Sequence, residues 1–330
     1  MHDDLLRRAH GALAGVAIGD AMGAPVEGRS ATEIRARYGR ITDFLSDEVV
    51  GTDDTDFTLF NALLLARHGA AITVQQVEAA WHEELLAPGK AYRPGGFSDV
   101  VATRNLQAGL HPPQSGAFGH QMWSDGVAMA ISPAGIIAAG NPELAAHLAE
   151  TLGCVSNGRD GIYAAQAVAA AIAVAMTGAS LEAMFDAALQ AAPSNSWTGR
   201  RLQHAATIVA DLPNDIDTAL EQLSVALVVP WWPWADLVTE AVPLAIGAFV
   251  AAQGDFRRAV PAAVSLGRDA DTIGAIAGSL AGAYAGVDAI PPEWLRRAEV
   301  APGKCIGAVA GTNIAMMAER LVDHALQGRA

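Results

Sequence analysis

Asp269-Ala270-Asp271-Thr272-Ile273-Gly274-Ala275-Ile276-Ala277-Gly278-Ser279-Leu280-Ala281-Gly282-Ala283-Tyr284-Ala285-Gly286 decides the fold class. The stretch opens on two carboxylates and a hydroxyl, then places Gly at every fourth position among Ala, Ile and Leu. Nothing in it alternates with the period of two that marks a half-buried strand. Gly11, Gly15, Gly19 and Gly23 repeat the spacing near the start of the chain and run through Asp20. Gly inside a helix costs about 0.5–1 kcal/mol relative to Ala, so two such rows need an offset. Glycines at i, i+4 leave one helix face flat, and close backbone contact with another helix supplies that offset. Both helices are expected to pack beside the acidic residues that adjoin them.

The rest of the chain reads the same way. Apolar residues recur at three- and four-residue spacing over 5–18, 56–67, 74–86, 142–151, 162–176, 181–191 and 200–212, and again over 215–224, 235–253, 259–265 and 272–285. Gly and Pro place loops at 93–96, 110–124, 193–199 and 230–234. Of the 330 residues, 52% are hydrophobic but only 6% aromatic, and Ala is abundant. Such a core suits closely packed helices better than sheets, whose strands favour β-branched and aromatic residues. No linker divides the chain, so the expectation is an all-α fold with one domain over 1–330.

A net charge of −14 lacks the basic footprint of nucleic-acid binding. The acidic start, Met1-His2-Asp3-Asp4, is unlike a secretory signal. The longest apolar run, 161–179, is mostly Ala and is interrupted by Gln166, which fits a buried helix better than a membrane span. Cys154 and Cys305 are too few for a disulfide framework and fit a reduced, cytoplasmic setting. The sequence specifies no oligomeric state.

A second acidic cluster, Thr52-Asp53-Asp54-Thr55, stands far from Asp269-Ala270-Asp271-Thr272 in a chain that is only 17% charged. Carboxylates this close repel unless a cation lies between them, and the only basic neighbour is Arg268. Mg²⁺, Mn²⁺ and Ca²⁺ prefer the carboxylate and hydroxyl oxygens found here. If the fold unites the clusters, four carboxylates and two or more hydroxyls suit a pair of ions and two-metal hydrolysis. The alternative for Thr52-Asp53-Asp54 is a helix N-cap with acids complementing the dipole. Thr52 is compatible with that role, but capping does not require Asp53, Asp54 and Asp56 together.

Gly19-Asp20-Ala21-Met22-Gly23-Ala24-Pro25-Val26-Glu27, Thr52-Asp53-Asp54-Thr55 and Gly267-Arg268-Asp269-Ala270-Asp271-Thr272 resemble, in order and separation, three signatures of the ADP-ribosylglycohydrolase family. Similarity continues through 234–253 and Ile290-Pro291-Pro292-Glu293-Trp294, so it spans almost the whole chain. The resemblance implies an all-α bundle with two Mg²⁺ or Mn²⁺ ions at the base of a cleft. Thr52, Asp53, Asp54, Asp269, Asp271 and Thr272 match the family's metal ligands, and Glu27 matches an acidic residue implicated in catalysis. The implied reaction cleaves the glycosidic bond of an ADP-ribosyl or related ribosyl adduct on a protein side chain or small molecule. Glu27, Asp54 and Asp271 are then the catalytic group, with Glu27 or an Asp taking the proton of the attacking water.

Two segments depart from the family. Ser124-Asp125-Gly126-Val127-Ala128-Met129-Ala130 has Asp125 where the family usually has Asn, and Ala130 where it has Arg. Val155-Ser156-Asn157-Gly158 places Asn157 where a His is frequent. Asp125, Gly126 and Asn157 are expected to line the substrate cleft. A carboxylate there disfavours a diphosphate and favours a smaller or neutral ribosyl compound, as in a nucleosidase-like hydrolase. The non-catalytic alternative is a metal-dependent binder of ADP-ribose. An all-α prenyl-chain synthase is a poor fit, because its first motif needs a carboxylate where this chain has Phe57. Trp81-His82-Glu83-Glu84 fails as a zinc helix, since Leu86 replaces the second His. Trp231-Trp232-Pro233-Trp234 reads as helix-end packing ahead of nucleobase stacking. His68, His120 and His204 have no ligand-spaced companion.

Overall fold

The computed structural model describes residues 2–212 and 215–327. Among them are seventeen α-helices and no β-strand, only four isolated bridges between loops. Four helices carry acids of the site, α1 (His2–Gly23), α2 (Asp53–His68), α3 (Phe97–Gln107) and α6 (Ala270–Ala285), while α4 (Asp160–Ala175) and α5 (Val238–Ala251) pack against α6. Among the described residues no helix is long and apolar enough to cross a membrane. The Ala-rich run at 161–179 is largely α4, buried nearly throughout.

The glycine rows meet each other. A Cβ built on Gly11 would fall on the Gly282 carbonyl, one on Gly15 on that of Gly278, and one on Gly19 on that of Gly274. Gly23 stands in the same relation to Ala270. The pairing is antiparallel and in register over four turns, so the end of α1 lies against the start of α6. Asp20 and Asp271 are thereby brought into one buried volume, at 0% and 4% exposure. Backbone-to-backbone contact over this length offsets the poor helix propensity of Gly.

Several expected boundaries shift for identifiable reasons. The helix expected over 74–86 is α-helical only through Val74–Trp81, and its last turn, His82–Leu86, widens to π geometry. The helix expected from 235 starts at Val238, because Leu237 is held in a bridge to Ser124. The expected loop at 110–124 contains a short helix, Gln114–Ala117. Helices Ala31–Tyr38, Phe97–Gln107, Ser132–Ile137, Pro292–Ala298 and Ile314–Gln327 carried no expectation. Ser132–Ile137 is buried on every side, which erases the amphipathic period that pattern reading relies on.

Replacing Gly278 or Gly282 by Leu should lower stability by at least the 1–3 kcal/mol, roughly, of a typical overpacking substitution, because a partner carbonyl cannot rotate away. Urea unfolding checks this. An unchanged or raised midpoint contradicts the contact.

Candidate metal centre

Asp20 sits near the end of α1 and is saturated by donors at the start of α2. It accepts from the Thr52 N–H at 2.7 Å, the Thr55 N–H at 3.0 Å and the Thr55 hydroxyl at 2.5 Å. Thr52 occupies the N-cap position, but its side chain makes no capping hydrogen bond. Its hydroxyl instead reaches the Asp54 carboxylate at 3.5 Å. The capping role considered for Thr52 therefore falls to Asp20, a residue from another helix. Asp56 faces away and accepts from the N–H groups of Gly303, Cys305 and Ile306 at 3.1, 2.6 and 3.1 Å. It anchors the 303–306 loop.

Two acidic triads form at this point, one of which includes Asp20. Single oxygens of Asp20, Asp54 and Asp271 lie within 4.8 Å of one another, and so do those of Glu27, Asp269 and Asp271. Asp271 belongs to both. Asp54 Oδ1 and Asp271 Oδ1 are buried and have no hydrogen-bond partner. Buried polar atoms are almost always paired, and unpaired carboxylate oxygens facing one another are costlier still. A pair of divalent cations removes both costs, and carboxylate with Thr hydroxyl is the donor chemistry such ions prefer. The residues therefore fit the ions that the resemblance implies.

Asp54, Asp269, Asp271 and Glu27 line a cavity of about 240 Å³, with Asp20 buried behind them. Thr52, Asp53, Asp54, Asp269, Asp271 and Thr272 all line it, as do Glu27, Asp125 and Gly126. Asn157 does not. Its amide is turned to the Ser124 carbonyl and hydroxyl at 2.9 and 3.2 Å, so it braces the wall from behind. Gly95 closes against Asp53 so tightly that a Cβ there would strike the carboxylate.

Sequence reading missed two cavity acids, Asp99 and Asp236, and the role of Arg268 behind the wall. Asp99, at the start of α3, accepts from the Tyr92 hydroxyl and from the N–H groups of Gly95 and Gly96 at 2.9, 2.9 and 3.1 Å, fixing the loop that presses on Asp53. Asp236 lies beside Asp125. Arg268, at φ 60°, sends its guanidinium away from the acids. It binds buried Glu240 at 2.6 Å and the Trp232 and Trp234 carbonyls at 3.2 and 3.0 Å. The Trp-rich loop is thus packed onto the base of α5, and Trp234 also reaches the cavity. Asp99 and Asp236 lie outside the acidic clusters of the sequence, and only the fold brings them to the site.

Burial pushes the carboxyls of Asp54, Asp269, Asp271 and Asp125 well above the usual range, and their neighbours' charges add to the rise. Burial raises Asp20 to about 6 against the hydrogen bonds from Thr55 and Thr52, and Asp99 to about 6. Glu27, at the exposed lip, is raised by desolvation and then by Asp53. Burial with nearby carboxylates pushes the Cys305 thiol up to about 12, so it offers no thiolate nucleophile near neutral pH.

The sequence profile of the ADP-ribosylglycohydrolase family matches residues 1–329. This chain belongs to that family, whose activity is hydrolytic. An uncharacterized protein of Archaeoglobus fulgidus is 30% identical over 293 residues, covering 86% of this chain and 88% of its own. The uncharacterized protein YegU of Escherichia coli K12 is 29% identical over 314 residues, covering 86% and 90%. A solved structure described as an ADP-ribosylglycohydrolase-related protein complex superposes with a TM-score of 0.65 at 23% identity, covering 98% of this chain and 99% of that one. It shares the fold.

A raised carboxyl binds more protons folded than unfolded between its two pKa values, so stability there falls as pH rises. For Asp20 and Asp99 that window runs from 3.8 to about 6. In chelator, the melting temperature should therefore drop as pH climbs through this window. At neutral pH, Mg²⁺ or Mn²⁺ at about 100 times Kd should restore roughly 2.7 kcal/mol, a shift of a few degrees for a chain this size. Melting curves with and without metal check both, and curves unmoved by metal contradict a site at these residues.

Proposed function

We propose that the protein is a metal-dependent hydrolase that cleaves the glycosidic bond of an ADP-ribosyl or smaller ribosyl adduct, with water as acceptor. The observation that carries this reading is the pair of carboxylate triads sharing Asp271, with buried oxygens of Asp54 and Asp271 unpartnered on a cavity floor. Thr52, Asp53, Asp54, Asp269, Asp271 and Thr272 would hold two Mg²⁺ or Mn²⁺ ions, which would supply Lewis-acid activation of water and an anchor for ribose hydroxyls.

The remaining steps fall to side chains. Glu27, at the lip of the cavity, takes the proton of the water that attacks C1, while the broken C1 bond leaves its electron pair on the leaving group, which takes up a proton from solvent. Asp54 and Asp271 fix the floor against which the ribose lies as oxocarbenium character develops on it. Asp125 and Gly126 face the sugar, while Asn157 acts through Ser124. The cavity of about 240 Å³ is smaller than the roughly 300–1,000 Å³ of pockets that enclose drug-sized ligands. No Lys, Arg or His is among its lining residues, and Ala130 stands where the family usually has Arg. A diphosphate near Asp125 meets no compensating charge, which favours a small or neutral ribosyl compound over an ADP-ribosyl one.

Release of free ribose or ADP-ribose from the two substrate types, with metal and in chelator, tests the proposal. Glu27→Gln should cost on the order of 10²–10⁴-fold in turnover. Asp54→Asn and Asp271→Asn should abolish it without unfolding the chain. Asp125→Asn should raise kcat/KM for the ADP-ribosyl substrate, with each tenfold gain equal to about 1.4 kcal/mol. Undiminished turnover in chelator contradicts the metal role. A wild type that prefers the ADP-ribosyl substrate, with no gain in Asp125→Asn, contradicts the substrate preference. Saturable binding without turnover would make the protein a binder.

A further inference from the structure

Two histidines and a glutamate converge outside the cavity, and the hydrolytic reading uses none of them. Glu78 lies in the helix Val74–Trp81, and His82 follows one turn later, at i+4, where the π turn begins. Such local widening of a helix recurs at functional sites. His111 reaches the pair from the loop after α3. Its Nδ1 lies 2.6 Å from Glu78 Oε1, and His82 Nε2 lies 4.0 Å from the same oxygen. None of the three lines the cavity, although Trp81, next to His82, does. The sequence around His82 fails as a zinc helix because Leu86 stands where a second imidazole belongs. The fold supplies that imidazole from His111, and the carboxylate from the preceding turn.

No Lys or Arg is paired with Glu78. Its side chain is 16% exposed, and among the described residues its ionic partners are the two imidazoles. Glu78 and Glu150 both act by charge on the buried Cys154 thiol, so the surroundings are negative. The rings of His82 and His111 are 46% and 75% exposed, which leaves them room to turn. Bonds of about 2.0–2.2 Å from Zn²⁺ to imidazole and carboxylate set neighbouring ligands roughly 3.4 Å apart in a tetrahedral site. Relative to Glu78, His111 then moves out and His82 moves in, each by less than about an ångström. The ion takes the place of the His111–Glu78 hydrogen bond. Two imidazoles with one carboxylate suit Zn²⁺, Cu²⁺ or Ni²⁺, whereas the oxygen donors of the cavity floor suit Mg²⁺ or Mn²⁺.

We propose that Glu78, His82 and His111 bind a divalent cation of the Zn²⁺ class, at a site separate from the acidic floor of the cavity, with water in the remaining position. An ion held there ties the loop after α3 to the helical segment whose Trp81 forms part of the cavity wall. The proposal is independent of the hydrolase reading, since it uses no residue of that site.

The test titrates the Mg²⁺-saturated protein with Zn²⁺, reading heat by calorimetry and the histidine ring ¹⁵N resonances by NMR. The ring signals of His82 and His111 should move together and saturate with one equivalent of Zn²⁺. His82→Ala and His111→Ala should each weaken that step at least about tenfold, equal to about 1.4 kcal/mol, and leave Mg²⁺ binding unchanged. Both rings are exposed, so neither substitution opens a cavity in the core. Glu78→Gln should weaken the same step. An isotherm shared by the wild type and both alanine variants overturns the proposal, as does a titration in which neither ring signal moves. Loss of the step in only one of the alanine variants overturns it as well, because a lone imidazole would then hold the ion.

Discussion

Contact between two glycine-faced helices sets the geometry on which the site depends. Because α1 and α6 touch backbone to backbone, the end of one and the beginning of the other share a volume too small for ordinary side chains. That volume is where Asp20 and Asp271 lie. A wider helix crossing would separate the carboxylates by the thickness of a side chain layer, and the shared role of Asp271 in both triads would be lost. The glycine rows thus act on chemistry through distance. They contribute no functional group of their own.

Concentrating carboxylates in this way carries an electrostatic cost, visible in the raised carboxyls of Asp20, Asp54, Asp269 and Asp271. The fold manages the cost unevenly. Asp20 is satisfied by three donors from the start of α2, and Asp56 and Asp99 by backbone N–H groups of neighbouring loops. Asp54 and Asp271 keep buried oxygens with no partner at all. The first group orders the scaffold, and the second is left for ligands. Arg268 adds a mechanical link, since it precedes Asp269 and ties the Trp-rich loop to Glu240. The same short segment therefore supplies the floor and braces the wall.

Much of this was legible in the amino-acid order. Helical periodicity located most of the long helices, and the two Asp-Thr clusters marked the residues that now line the cavity floor. Legibility failed where a residue acts singly. Asp99 has no acidic neighbour at metal-ligand spacing, and the one that Asp236 has, Glu240, is taken by Arg268, so the sequence does not separate either from solvated surface acids. Asp20 stood inside a recognised motif, yet its capping of α2 from another helix is a tertiary contact with no local pattern. Asn157 was placed in the cleft by position within a motif, whereas its amide found a better partner in the backbone of Ser124. The start of α5 moved because the bridge between Ser124 and Leu237 outweighs helix propensity over those residues.

We propose that Asp271, common to both triads, joins two metal ions into one dinuclear site. Mn²⁺ binding followed by calorimetry and by electron paramagnetic resonance tests it most directly. The wild type should bind two equivalents of Mn²⁺ with spin–spin coupling between them, and Asp271→Asn at most one weakly held ion with the coupling gone. Two equivalents retained in Asp271→Asn, or no stoichiometric binding by the wild type, would contradict it.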